Sequence, residues 1–147
     1  MLFRSLEELL DFWTKDSKID ESNIRLELVN IPKLHAKYIR ILNEHKMASI
    51  KAKFEYDKLK IIRSEYYLGH LDRETLQKYG WEQFDIQVSK AGLEKYINSD
   101  ESLIKLLQKK SYHDQIVYTC ESILNELKSR TWQLKSLIDY EKLLSGA

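Results

Sequence analysis

The chain has 147 residues, of which 32% are charged and 43% hydrophobic, with only four Gly and one Pro. This length predicts one domain, and the scarcity of Gly and Pro argues against a turn-rich β protein and for long helices. No apolar run reaches the ~20 residues of a membrane span, and the N-terminus lacks the blocks of a secretory signal. One cysteine, Cys120, cannot form an internal disulfide, so we expect a reducing compartment.

The net charge is only +1, but it is unevenly distributed along the chain. Residues 32–69 carry nine Lys or Arg against four Asp or Glu, whereas residues 1–31 and 70–101 each carry four against seven. A local basic excess of this kind gathers phosphates even when the total charge is close to zero.

The first predicted helix begins after Ser5, because Ser5 and Glu8 have the spacing of a capping box, and ends at residues 16–18. Asp20 or Ser22 then caps a second helical segment with apolar residues at 24, 28 and 31. Pro32 either begins a new helix or lies in one that runs through it. We take residues 32–69 as one long basic helix that Gly69 ends.

Two stripes follow this long helix at spacings of three and four. The first predicts a packing seam for a partner helix, and its members are Leu34, Tyr38, Ile41, His45, Ala48, Ala52, Glu55, Leu59, Ile62 and Tyr66. The second alternates cations with phenol rings, as Lys46, Ser49, Lys53, Tyr56, Lys60, Arg63 and Tyr67. Unpaired bases stack on aromatic rings while cations meet their phosphates, so the second stripe favours single-stranded nucleic acid. A solvated lysine face with core tyrosines is the alternative.

Residues 70–99 show weak periodicity and are predicted to be a connection with short helical turns. Ser99 or Asp100 caps a last helix from about Glu101 to Leu144, whose apolar stripe is broad and includes Cys120. Because its second half has more apolar surface than the long basic helix covers, we predict self-association there. The expected contact residues are Leu127, Leu134, Leu137 and Ile138, with Trp132 beside them.

The sequence contains no motif of a catalytic, cofactor or metal site. It has no Gly-rich phosphate loop, no dinucleotide fingerprint and no nucleophile elbow. None of the four His is three or four residues from another His or Cys, so neither a metal site nor a cofactor is predicted. His45 and His113 lie on apolar stripes and are predicted to be hydrogen-bonded core residues. We therefore expect a protein that is not an enzyme.

Short motifs near the end of the long basic helix and along the last helix carry a family resemblance. The stretch Arg63-Ser64-Glu65-Tyr66-Tyr67-Leu68-Gly69 is similar to the acidic-Tyr-Tyr-x-Gly that ends a basic helix in the UvsY recombination mediator family of T-even-like bacteriophages. The C-terminal stretches Leu127-Lys128-Ser129-Arg130, Gln133-Leu134-Lys135 and Glu141 to Gly146 are also similar, as is Asp100-Glu101 at the start of a long helix. Their order and spacing span essentially the whole chain.

The resemblance implies one helical recombination-mediator domain over residues 1–147, built as a helical hairpin or bundle. It implies a non-enzymatic factor in the cytoplasm of the infected bacterium, assembled as a ring of about six or seven subunits. The implied partners are single-stranded DNA, a phage recombinase and the phage single-strand-binding protein that the recombinase displaces. The family's C-terminal helix is implicated in oligomerisation.

The resemblance also indicates which residues contact DNA. A Lys-x-Arg pair just before the Tyr-Tyr is implicated in the family, and Arg63 occupies its Arg position. Ile61 occupies its Lys position, so Lys60 is our substitute. The full predicted site is Lys53, Tyr56, Lys58, Lys60, Arg63 and Tyr67. Two alternatives are open for Lys128 and Arg130. They contact phosphate, or they only complement the helix dipole and face solvent in the second half of their helix.

A coiled-coil structural or adaptor protein is the alternative function. Its basic face is only solvated, its partners are proteins, and it oligomerises without affinity for DNA.

Overall fold

The computed structural model describes residues 5–146, which form five α-helices and one 3-10 turn and contain no strand. In chain order these are α1 (Leu6–Asp16), the 3-10 turn (Glu21–Asn23), α2 (Ile24–Tyr67), α3 (Arg73–Tyr79), α4 (Lys90–Asn98) and α5 (Glu101–Leu144). The predicted all-α fold with long helices is confirmed. None of the described helices has the apolar length that a membrane crossing requires.

Polar caps and glycine set the helix ends. Ser5 Oγ accepts from the N–H of Glu8 at 3.1 Å, as the capping box predicts. Asp100 Oδ1 accepts from the N–H of Leu103 at 3.0 Å and caps α5. Gly69 ends α2 with φ of +75°, a left-handed conformation in which an L side chain is strained.

At Pro32 the second of the two alternatives holds, because α2 begins at Ile24 and runs through the proline. A helix-interior proline costs ~3 kcal/mol, since it lacks an N–H and crowds the preceding turn. Ile24 is buried, and Leu28 and Ile31 are half-buried. Their burial offsets that cost and keeps residues 24–31 helical.

The chain divides into two compact units. Unit 1 comprises residues up to 47 and from 113 onward, and its core joins α1 to the first half of α2 and the second half of α5. The buried members are Leu9, Tyr38, Ile41, Leu42, Ile116, Cys120, Ile123 and Leu127. Within this unit α2 and α5 run antiparallel, since His45 faces His113 and Tyr38 lies in the same core as Cys120.

A hydrogen-bonded histidine pair lies in unit 1, formed by buried His45 and half-buried His113. The Nδ1 atoms of His45 and His113 are 2.8 Å apart, so one ring donates its Nδ1–H to the other. The prediction of hydrogen-bonded core histidines is confirmed. Within residues 5–146 no cluster of three or more His, Cys, Asp or Glu is arranged to hold a metal ion.

Unit 2 comprises Ala48–Tyr112 and has an aromatic core. Its buried members are Tyr67, Ile97 and Leu103, and the half-buried residues packed on them are Tyr56, Leu59, Tyr66, Phe84, Leu93 and Tyr96. Four ring contacts between 5.0 and 5.7 Å join tyrosines of α2 to the segment after it. Residues 70–99 supply four of the nine residues of this core.

Candidate nucleic-acid interface

The predicted packing seam of α2 is confirmed, because all ten of its members are buried or half-buried. The cationic stripe lies on the adjacent faces of the same helix. Its lysines are exposed, whereas Ser49 and Tyr67 are buried and Tyr56 is half-buried. The lysines of the stripe are therefore accessible, but a buried residue lies between Lys46 and Lys53 and another lies at the C-terminal end of the stripe.

Three of the predicted contact residues are exposed lysines of α2. Lys53 and Lys60 lie on the same face as Tyr56 and form the lysine row, whereas Lys58 lies on another face of the helix. Lys53, Lys58 and Lys60 are all exposed, and Lys60 Nζ lies 5.9 Å from the ring centroid of half-buried Tyr56. Lys53 Nζ lies 3.1 Å from Asp57 Oδ2, with both side chains about half exposed. An exposed ion pair of this kind is worth well under ~1 kcal/mol, so Lys53 is readily released to a phosphate.

Arg63 differs from these lysines because it is internally paired. Its Nε donates to Asp100 Oδ2 at 2.6 Å, and its Nη2 donates to Tyr67 Oη at 3.1 Å. Tyr67 Oη in turn donates to the same Asp100 oxygen at 2.6 Å. The Arg63 side chain is 15% exposed and that of Asp100 is fully buried.

The pKa shifts of this network follow from its geometry. Burial alone raises the pKa of Asp100, but hydrogen bonds from Tyr67, Leu103 and Arg63 and the guanidinium charge outweigh it and hold that pKa below its usual range. Burial alone lowers the pKa of Arg63, and Asp100 outweighs it and raises that pKa. Burial, and then the hydrogen bond to Asp100, raise the pKa of Tyr67. The network is therefore a fixed ion pair at neutral pH.

This network limits how far Arg63 and Tyr67 are accessible to a strand. Arg63 uses Nε and Nη2 within the network, and its side chain is only 15% exposed, so it is less accessible to a phosphate than the exposed lysines of α2. Tyr67 is 8% exposed and presents little ring face for a base. Both residues stabilise the end of α2, and their contact with DNA stays a prediction.

An aromatic cage around Arg63 was missed by sequence reasoning. The guanidinium carbon lies 4.7 Å from the ring centroid of Tyr66 and 4.5 Å from that of Trp81, and Trp81 stacks on Tyr79 at 4.5 Å. Trp81 follows Gly80, where α3 ends with φ of +70°. The signal was present as Tyr79, Trp81, Phe84 and Tyr96 in a segment of weak periodicity, but no spacing linked those rings to Arg63.

The predicted oligomerisation residues also differ from one another in their exposure. Leu127 and Leu134 are 1% and 0% exposed, so the core of a single chain already covers them. Leu137 and Ile138 are half-buried. Leu127 packs in the core that α1, α2 and α5 form. A contact between subunits at Leu127 and Leu134 stays a prediction, and it would require surface that the single chain already buries.

Large apolar side chains are nevertheless exposed elsewhere. On α2 they are Leu26, Val29, Met47, Ile50, Phe54 and Ile61, and on the second half of α5 they are Trp132, Tyr140, Leu143 and Leu144. Met47, Phe54 and Ile61 repeat every seven residues and are each about two-thirds exposed, which is the spacing of a coiled-coil seam. This seven-residue spacing is present in the sequence, but the longer packing seam on the neighbouring face of the helix is the stronger pattern.

Two alternatives were open for Arg130, and the structure engages it within the chain. Its guanidinium donates to the carbonyl oxygens of Asp16 at 3.1 Å and Ser17 at 2.8 Å. Because these are free carbonyls at the end of α1, Arg130 satisfies that helix terminus from α5. Arg130 is 5% exposed, and Lys128 beside it is exposed. Of the two, only Lys128 is placed to contact an external phosphate.

Comparisons with known proteins agree with this architecture. The family model described as "Recombination, repair and ssDNA binding protein UvsY" matches residues 12–147. The fold is similar to crystal structures of the bacteriophage T4 recombination mediator protein UvsY. One has a TM-score of 0.85 at 20% identity and covers 97% of this chain and 99% of that chain. A second crystal form has a TM-score of 0.80 at 21% identity and covers 95% and 98%.

A search of curated proteins gives no match. The structural likeness, at about one residue in five identical, shows the shared helical fold. The family model spans most of the chain, so the resemblance inferred from the short motifs is confirmed. The chain therefore belongs to the UvsY family.

Proposed function

We propose that this chain binds single-stranded DNA and acts as a recombination mediator. The observation that carries the proposal is the exposed row of Lys53 and Lys60 on the face of Tyr56, on a chain whose family is described as recombination, repair and ssDNA binding. Ammonium groups beside an aromatic ring suit a strand whose bases are unstacked. The row has no Asn or Gln to read base edges, so binding without sequence preference is expected.

Self-association strengthens this weak site. Several subunits in a ring repeat the lysine row, and a strand that engages several rows gains by effective concentration what one row does not supply. The exposed apolar side chains Met47, Phe54 and Ile61 support such self-association, because contiguous apolar surface on a soluble protein marks an interaction site. We retain the half-buried Leu137 and Ile138 as candidate contacts at the other end of the chain.

In the mediator step, the bound strand is transferred to a recombinase. We propose that the assembled rows hold DNA released from a single-strand-binding protein while a phage recombinase assembles on it, in the cytoplasm of the infected host. No covalent chemistry is required of this chain. The T4 relative is called a recombination mediator protein, which supports the same role here.

Fluorescence anisotropy with a labelled oligothymidylate tests the binding. The unmodified chain should prefer single-stranded over duplex DNA, and its log affinity should fall with log salt. Replacing Lys53 and Lys60 by Gln should reduce the magnitude of that slope by about 0.7 for each phosphate that is no longer neutralised. The matched control replaces Lys90 and Lys95, which are exposed on α4, and should leave the slope unchanged.

Two outcomes would contradict the proposal. An oligomer without affinity for single-stranded DNA would establish the adaptor alternative. An equal reduction of the slope in the α4 control would show that only total charge matters and would remove the α2 row from the site.

A further inference from the structure

A groove of about 400 Å³ lies in unit 1, where the end of α1 passes the first half of α2. Its lining includes four lysines and two acids, which are Lys15, Lys18, Lys33, Lys37, Asp16 and Glu27. The lysine row on α2 begins well beyond these residues, at Lys53. The groove therefore involves other residues than the α2 lysines, and none of the motifs in the sequence includes them.

The two acids are already engaged by groups of the chain itself. Lys37 Nζ lies 2.6 Å from Asp16 Oδ2, and that oxygen also accepts from Tyr38 Oη at 2.7 Å. Glu27 Oε1 accepts from the backbone N–H of Asp20 at 3.2 Å. Within residues 5–146, Lys15, Lys18 and Lys33 make no ion pair. Once Lys37 and Asp16 are set aside as a pair, the groove holds three ammonium groups and the single carboxylate of Glu27.

Arg130 holds the wall of this groove in place. Its two hydrogen bonds to the carbonyls of Asp16 and Ser17 fix the backbone between Lys15 and Lys18. Its guanidinium also lies 5.4 Å from the ring centroid of Trp13. The spacing of the two lysines is consequently set by a buried side chain of α5, which makes Arg130 a positioning residue for the groove.

We propose that this groove binds the phosphodiester backbone of single-stranded DNA as a second contact region, an inference that rests on the proposed function. A concave surface with excess positive charge concentrates anions, and lysine ammoniums are compact phosphate partners. An aromatic ring stands beside the groove as well, since Lys37 Nζ lies 4.5 Å from the centroid of exposed Phe12. The groove thus repeats the cation-and-ring chemistry of the α2 row.

The test replaces Lys18 and Lys33 by Gln, because both side chains are accessible and neither supports the core. Anisotropy with labelled oligothymidylate over a series of salt concentrations should show a slope smaller in magnitude by about 1.4, or 0.7 for each of the two phosphates. The Lys90 and Lys95 variant is again the matched control. Thermal melting of both variants checks that each is folded.

A footprint on the unmodified chain gives an independent measurement. Lysine acylation, followed by mass spectrometry with and without oligothymidylate, should show protection of Lys15, Lys18 and Lys33 and no protection of Lys90. An unchanged salt slope together with equal acylation in free and bound protein would overturn the groove as a DNA-binding region while the α2 row still binds. Absence of all single-strand binding by the unmodified chain would instead refute the proposed function, and the groove inference with it.

Discussion

The buried ion pair between Arg63 and Asp100 makes a strong prediction about stability. Asp100→Asn preserves the side-chain shape and the cap on α5 but removes the charge that faces the guanidinium. Breaking a fully buried pair costs ~3–5 kcal/mol. Arg63 retains 15% exposure and the amide oxygen still accepts hydrogen bonds, so we expect a loss of about 2–3 kcal/mol in the free energy of unfolding.

Urea unfolding followed by far-ultraviolet circular dichroism measures this loss. The control is Asp57→Asn, since Asp57 pairs with Lys53 on the same helix with both side chains about half exposed. That variant should lose no more than about 0.5 kcal/mol. Equal losses in the two variants, or a loss below about 1 kcal/mol at Asp100, would refute the reasoning from burial.

The same pair predicts a response to acid. The pKa of Asp100 is lowered in the folded protein, so its contribution is present above the unfolded pKa of ~3.9 and is lost as pH falls through the folded value. Stability should decline in that acidic range. Asp100→Asn should flatten the decline, and a parallel decline in the variant would contradict the assignment.

Three further predictions concern unit 1. Burial, and then the charge of His113, lower the pKa of His45, so its stabilising contribution should be lost as pH falls below ~6.5. In urea unfolding, His45→Leu should therefore reduce the dependence of the free energy of unfolding on pH in that range. Leu127→Ala should cost about 2–5 kcal/mol by cavity formation in urea unfolding, against no more than ~0.5 kcal/mol for exposed Leu143→Ala. Arg130→Met should lower the free energy of unfolding by about 2–3 kcal/mol, because two carbonyls at the end of α1 lose a charged donor. A melting temperature equal to that of the unmodified chain would contradict this.

Periodicity predicted the helices and the seam between them because apolar spacing is a local property. The capping box at Ser5 and the stop at Gly69 could be read for the same reason, since each depends on a few neighbouring residues. Pro32 was ambiguous because its cost is local but the apolar burial that offsets it is tertiary. The outcome at that position is decided by packing that no local pattern specifies.

The candidate site was predicted less completely because a charge on a helix face does not reveal its partner. Lys60 and Arg63 are equivalent in the sequence pattern, but Asp100 lies far along the chain and engages only Arg63. The burial of Leu127 and Leu134 within the single chain was not predicted for a related reason. A broad apolar stripe shows how much surface must be covered, but not whether the cover comes from the same chain.

The lone thiol of Cys120 offers a way to observe opening of the unit 1 core. It is fully buried there, and burial raises its pKa to about 11, so little reactive thiolate is present or reachable at neutral pH. A thiol reagent such as a maleimide therefore modifies the native protein only during transient separations of α1, α2 and α5. The rate of labelling, followed as a mass shift, counts those separations directly, with no probe engineered into the chain.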